Sequence, residues 1–163
     1  MGFLGVVMNM NVMIVMGSKS DKPVGDKVVA TLKKLGVNCE ITVASAHRTP
    51  DAVERIAARE DIGVFIAIAG LSAALPGCVA ARTLKPVIGV PVSGKVNMDS
   101  ILSVVQMPPG IPVAAVGLDR GENAAILAAQ ILAVSNPEIA RALATHRRDM
   151  AAKVMEDART LEG

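Results

Sequence analysis

The sequence predicts one α/β domain over residues 1–163: a doubly wound, five-stranded open parallel sheet with helices on both faces and an extra C-terminal helix. Three observations predict it. Apolar runs of strand length alternate with segments of helical periodicity. The runs lack polar alternation, as strands buried on both sides do. The chain has 163 residues, 52% of them hydrophobic, enough for one core, and no linker, repeat or low-complexity tract divides it.

Each strand run is paired with the helix that follows it. VMIVM (12–16) precedes PVGDKVVATLKKL (23–35), which Gly36 stops. CEITVA (39–44) precedes PDAVERIAA (50–58), and VFIAIA (64–69) precedes LPGCVAART (75–83). VIGV (87–90) precedes DSILSVVQ (99–106), with Asp99 and Ser100 as the expected cap. VAAVG (113–117) precedes NAAILAAQILAV (123–134), completing a core over 12–134. A sixth helix is expected over 136–161, with Asn136 as cap and Pro137 in its first turn. Ile139, Leu143, Met150, Val154, Ala158 and Leu161 fall near one stripe of it, interrupted by Arg147. That stripe packs either on a neighbouring subunit, which makes the chain a homo-oligomer, or back on its own domain.

Composition excludes several function classes. Two Phe, no Trp and no Tyr leave no platform for stacking single-stranded nucleic acid. A net charge of +2 with interleaved signs offers no basic stripe for nucleic acid or a membrane surface. Cys39 and Cys78, each in an apolar segment, read as small buried thiols, and nothing implies secretion. The uncharged start MGFLGVVMNMNVMIVMG lacks a basic n-region, is too short to span a bilayer and has no Ser or Thr at its sixth position. It reads as a flexible start before the first strand, and Met8 and Met10 are alternative first residues to Met1.

In an open parallel sheet, ligands bind outside the carboxyl ends of the strands. The first strand delivers GSKSDKP (17–23): a glycine turn, the hydroxyls of Ser18 and Ser20, and helix N–H groups that suit a phosphate. It is neither a dinucleotide fingerprint nor a Walker loop. Asp21 can accept hydrogen bonds from a ribose diol, although Ser20 or Asp21 could equally serve as a helix cap. The second strand delivers SAHRTP (45–50), holding one of only two histidines. Arg48 can clamp a phosphate or carboxylate, and the imidazole of His47 suits proton transfer near neutrality. The bland alternative makes His47 a bystander in a loop whose Thr49 caps the next helix. The third strand delivers AGLSAALPG (69–77), where Gly70 and the alanines either admit a flat ring or merely let a helix pack closely. PVSGKVNMDS (91–100) and DRGEN (119–123) follow the last two strands. No metal-ligand spacing and no nucleophile elbow occurs, and His146 reads as a surface residue. If the chain is an enzyme, these residues point to proton chemistry on a phosphorylated small molecule without a metal.

MGSKSD, SAHRTPD, LPGCVAART, PVIGVPV, DSILSVVQMPPGIPVA and NAAILAAQIL occur in this order. Together they resemble the N5-carboxyaminoimidazole ribonucleotide mutase family of purine biosynthesis, also called the catalytic subunit of phosphoribosylaminoimidazole carboxylase. GLDRGENAA resembles the archaeal members. The resemblance implies a cytoplasmic enzyme with a flavodoxin-like three-layer fold, assembled as a homo-octamer whose C-terminal helix reaches over a neighbour. It implies transfer of a carboxylate from the exocyclic nitrogen of an aminoimidazole ribonucleotide to ring carbon C4, without cofactor or metal. Carried over, Ser18, Asp21, Ser45 and Arg48 bind the ribose-phosphate portion with Ser20 nearby, and His47 is the acid/base. Gly70 and Ser72 of the third loop are further candidate substrate-binding residues. One position departs from the pattern: Ala74 stands where the family usually has a second histidine. Ser72 resembles the branch that carboxylates aminoimidazole ribonucleotide directly with carbon dioxide. Direct carboxylation is therefore the alternative activity, and a nucleotide-binding paralogue without turnover a second alternative.

Overall fold

Strand residues alternate between the two faces of a sheet, so a strand covered on both sides must be apolar at every position. In the computed structural model, which describes residues 11–161, β3 (Ile62–Ala69) and β1 (Asn11–Met16) from Val12 onward follow this rule, the half-buried Asn11 standing at the strand's entry. Val12, Ile14 and Met16 face one core while Met13 and Val15 face the other. The first core is closed by Val24, Val28 and Leu32 of α1 (Lys22–Lys34) and by the alanines of α5 (Gly121–Ala133). The second is closed by α2 (Pro50–Ala57), α3 (Leu75–Ala80) and α4 (Asn97–Val105). Phe65, fully buried, anchors this second layer.

All strand pairs are parallel, in the order β2-β1-β3-β4-β5, with β2 at Cys39–Val43, β4 at Val87–Pro91 and β5 at Ala114–Ala115. Ile14 lies opposite Ile41 on one side and Ile66 on the other. The chain leaves β1 outward to β2 and then returns past it to β3. The carboxyl ends of β1 and β3 therefore flank the switch point, where such sheets open a crevice. The five strands and six α-helices expected from the sequence are all present, with ends shifted by a few residues. Gly36 stops α1 as expected, at φ 71°, with its N–H donating to Lys33 O at 3.1 Å.

Several expectations change. β2 is an edge strand, so Ile41 and Val43 are 41% and 49% exposed rather than buried on both faces. Cys78 is exposed, because Leu75, Pro76, Val79 and Ala80 occupy the sheet-facing side of α3 and turn position 78 outward. Cys39 is half-buried, and burial raises its thiol pKa. Asp99 and Ser100 do not cap α4, which begins at Asn97; Ser100 is buried with its hydroxyl on Val92 O and Asn97 O. His146 is half-buried rather than superficial, with Nδ1 enclosed and unpartnered among the described residues. The alternative first residues Met1, Met8 and Met10 lie outside the described residues.

Asn136 caps α6 (Pro137–Leu161) as expected, its Oδ1 accepting from Glu138 N at 2.9 Å and Ile139 N at 3.3 Å. The predicted stripe divides. Ile139 and Leu143 pack back on the first core, whereas Met150, Val154 and Leu161 remain exposed.

The α1–α5 contact is close because Gly121 lies against α1. A Cβ there would stand 2.5 Å from the backbone oxygen of Val24 and 3.1 Å from Val28 Cγ2. A helical carbonyl cannot swing aside, so one helix must shift. Gly121→Ala is expected to cost about 1–3 kcal/mol from overpacking, less whatever alanine's better helix propensity returns. Urea unfolding with an unchanged m-value and a lower midpoint would register this; an unchanged midpoint would mean the two helices yield freely.

Candidate active site

The first loop extends the β1–β3 ladder by one bond, Gly17 N to Ile68 O at 2.9 Å, and then turns sharply. Ser18 is extended and caps a short 3-10 turn over Lys19–Asp21 in a reciprocal box. Ser18 Oγ accepts from Ser20 N at 3.3 Å, and Asp21 Oδ2 accepts from Ser18 N at 2.9 Å. Ser20 Oγ donates to Asp21 Oδ1 at 3.4 Å. Capping thus falls to Ser18. Asp21, though at the start of α1, makes no side-chain cap bond there. Its carboxyl is 5% exposed, and that burial raises its pKa, against the lowering effect of hydrogen bonds from Ser18, Ser20 and Gly17. Each oxygen retains a lone pair for a ligand hydroxyl.

The second loop is tied by Thr49 rather than freed by it. Thr49 Oγ1 accepts from Ser45 N at 2.9 Å and donates to Ser45 O at 3.3 Å, so this hydroxyl closes the turn and does not cap α2. Ser45 Oγ accepts from both Arg48 N and Arg48 Nε at 3.3 Å. Its own proton is left to donate. Arg48 Nη2 donates to Gly17 O at 3.2 Å, which ties the guanidinium across the two loops and leaves Nη1 without a hydrogen bond to the described residues. His47, between Ala46 and Arg48 in this turn, is exposed and makes no hydrogen bond to the described residues.

These loops enclose a cavity of about 470 Å³ at the switch point. Every sequence-predicted site residue lines it: Ser18, Ser20, Asp21, Ser45, His47, Arg48, Gly70 and Ser72. Among the described residues its charged groups are Asp21 and Arg48, and the His47 ring lies on the same lining. Leu75, the first residue of α3, reaches the wall, while half-buried Ala74 immediately precedes it. A Cβ on Gly70 would meet nothing closer than Val92 at 3.9 Å, so crowding in the free protein does not require glycine there. Val92 and Ser93 also line the cavity and were not singled out from sequence. Their position directly after β4 was the available signal. The arrangement can hold an anion at Arg48 and the serine hydroxyls, accept hydrogen bonds from ligand hydroxyls at Asp21, and present an imidazole to whatever the cavity holds.

The AIR carboxylase family model matches residues 11–153. The N5-carboxyaminoimidazole ribonucleotide mutase of Methanocaldococcus jannaschii is 58% identical over 142 residues, covering 86% of this chain and 90% of that protein. The protein of the same name from Pyrococcus horikoshii is 48% identical over 154 residues, covering 91% and 87%. The crystal structure of Treponema denticola PurE superposes with a TM-score of 0.83 at 33% identity, covering 94% of this chain and 99% of that one. A family match that runs from β1 into α6, with relatives this similar over nearly their whole length, places the chain in the AIR carboxylase family.

Proposed function

We propose that the chain is a 5-(carboxyamino)imidazole ribonucleotide mutase, an isomerase of purine biosynthesis that converts the N5-carbamate to the 4-carboxy ribonucleotide. The observation that carries this reading is the unbonded His47 ring beside an anchored Arg48 on one cavity wall. Arg48, Ser45 and Ser18 take the phosphate, and Asp21 takes the ribose hydroxyls. Protonated His47 gives its proton to the carbamate nitrogen; the N–C bond breaks, its electron pair stays on nitrogen, and carbon dioxide is released inside the cavity. Ring carbon C4 attacks that carbon dioxide. Neutral His47 then removes the C4 proton, which restores the ring and the starting protonation state. One histidine serves both transfers, and the net reaction consumes no co-reactant. Retaining the fragments in one cavity replaces a bimolecular encounter with an oriented one.

The test follows the 4-carboxy product from each ribonucleotide with and without bicarbonate. The mutase converts the carbamate at a rate independent of bicarbonate. A strict requirement for bicarbonate with aminoimidazole ribonucleotide would assign direct carboxylation instead, and binding without turnover would assign a nucleotide sensor.

A homo-oligomer, an octamer in our reading, is supported by apolar surface that the single chain leaves open. Ile41 and Val43 on β2, Met98 and Val105 on α4, and Met150, Val154 and Leu161 on α6 are all exposed. We place the enzyme in the cytoplasm; among the described residues no helix is long and apolar enough to cross a membrane.

A further inference from the structure

Asp119 is the one non-glycine residue with positive φ among the described residues, at 58°. Left-handed backbone disfavours ordinary side chains, and aspartate tolerates it best where its carboxylate is locally bonded. Here the carboxylate is bonded across the sheet edge. Asp119 Oδ1 accepts from Ser93 N at 2.9 Å, and Asp119 N donates to Pro91 O at 2.9 Å. Asp119, in the loop between β5 and α5, therefore holds the exit of β4 at both Pro91 and Ser93.

Neighbouring groups complete the hold. Val92 N donates to Ala69 O at 2.9 Å, Ser100 Oγ donates to Val92 O at 3.1 Å, and Gly94 N donates to Asn97 Oδ1 at 2.9 Å. The backbone from Pro91 to Gly94 is thus pinned, and Ser93 alone in it presents a hydroxyl that makes no hydrogen bond to the described residues. That residue lines the cavity from the β4 side, away from the Arg48 and His47 loop after β2.

We propose that Asp119 is a positioning residue that fixes the β4 exit loop so that the Ser93 hydroxyl hydrogen-bonds the bound ribonucleotide. The binding half of this inference rests on the mutase reading; the clamp itself does not. Asp119 acts through Ser93 and touches no substrate atom. The pinned backbone lets Ser93 bind without first paying the entropy of ordering its loop.

The experiment compares Asp119→Gly, Asp119→Asn, Ser93→Ala and the double variant Ser93→Ala/Asp119→Gly. Glycine accepts φ 58° without strain but removes the acceptor, while asparagine keeps both the conformation and an acceptor oxygen. Amide hydrogen exchange by NMR reads the clamp without any ligand: Ser93 N–H should lose protection in Asp119→Gly and keep it in Asp119→Asn. Calorimetric binding of aminoimidazole ribonucleotide reads its consequence. Asp119→Gly and Ser93→Ala should each raise Kd about three- to tenfold, the worth of one hydrogen bond. The double variant should be no weaker than the worse single one, because both remove the same contact. Unchanged Ser93 exchange in Asp119→Gly, unchanged Kd in Ser93→Ala, or additive losses would overturn the proposal. Wild-type protein that fails to bind the ribonucleotide would overturn the mutase reading and the Ser93 contact together, while the exchange data still decide the clamp.

Discussion

His47→Asn is expected to lower kcat for carboxylate transfer by about 10²–10⁴, the range general acid–base catalysis supplies. Asparagine keeps a polar planar group of similar reach but carries no titrating nitrogen. The substitution should leave the turn standing, because Thr49 and Ser45 hold it without help from the His47 side chain. Aminoimidazole ribonucleotide should therefore bind to the variant with nearly unchanged Kd. The informative result is the split: catalysis lost, binding kept. A variant with near-native kcat would show that another group moves the proton. A variant that loses binding in proportion would make His47 a ligand contact rather than the acid/base.

Arg48→Ala should show the opposite split. A charge-assisted contact to phosphate contributes about 1.5–3 kcal/mol, so Kd should rise about 10- to 100-fold. Turnover at saturating substrate should fall less, since the proton chemistry belongs to His47. Arg48 also spans from Ser45 Oγ to Gly17 O, so its loss loosens the junction of the two loops. Arg48→Lys separates these contributions. It restores charge but not the fork that reaches both loops, and should recover binding only in part. Full recovery by lysine would mean that charge alone matters. Binding that is unchanged in Arg48→Ala would place the phosphate elsewhere in the cavity.

Much of the protein is legible in its sequence, for reasons that are local. Uninterrupted apolar runs such as VMIVM and VFIAIA announce strands covered on both faces, and Gly36 and Asn136 mark helix ends through their own backbone and side-chain chemistry. The carboxyl-edge rule then directs attention to GSKSD and SAHRT, and the cavity is lined by both. Other features depend on what lies opposite in space. Pattern alone does not say which strand is at the edge, so the exposure of Ile41 and Val43 emerges only from the strand order. Cys78 is apolar in sequence context but turned outward by the face that α3 buries. The side-chain bonds of Thr49 and Ser100 run to carbonyls that become neighbours only when the chain turns. Asp119 and Ser93 are 26 positions apart and meet because β4 and β5 are adjacent. Strand and helix identity follow from short-range periodicity, and the chemical cast of the site follows from residue type at strand ends. The role of each hydroxyl depends on how its own loop folds back on itself, while edge exposure and the β4–β5 clamp are set by distances between segments remote in sequence, which no local pattern encodes.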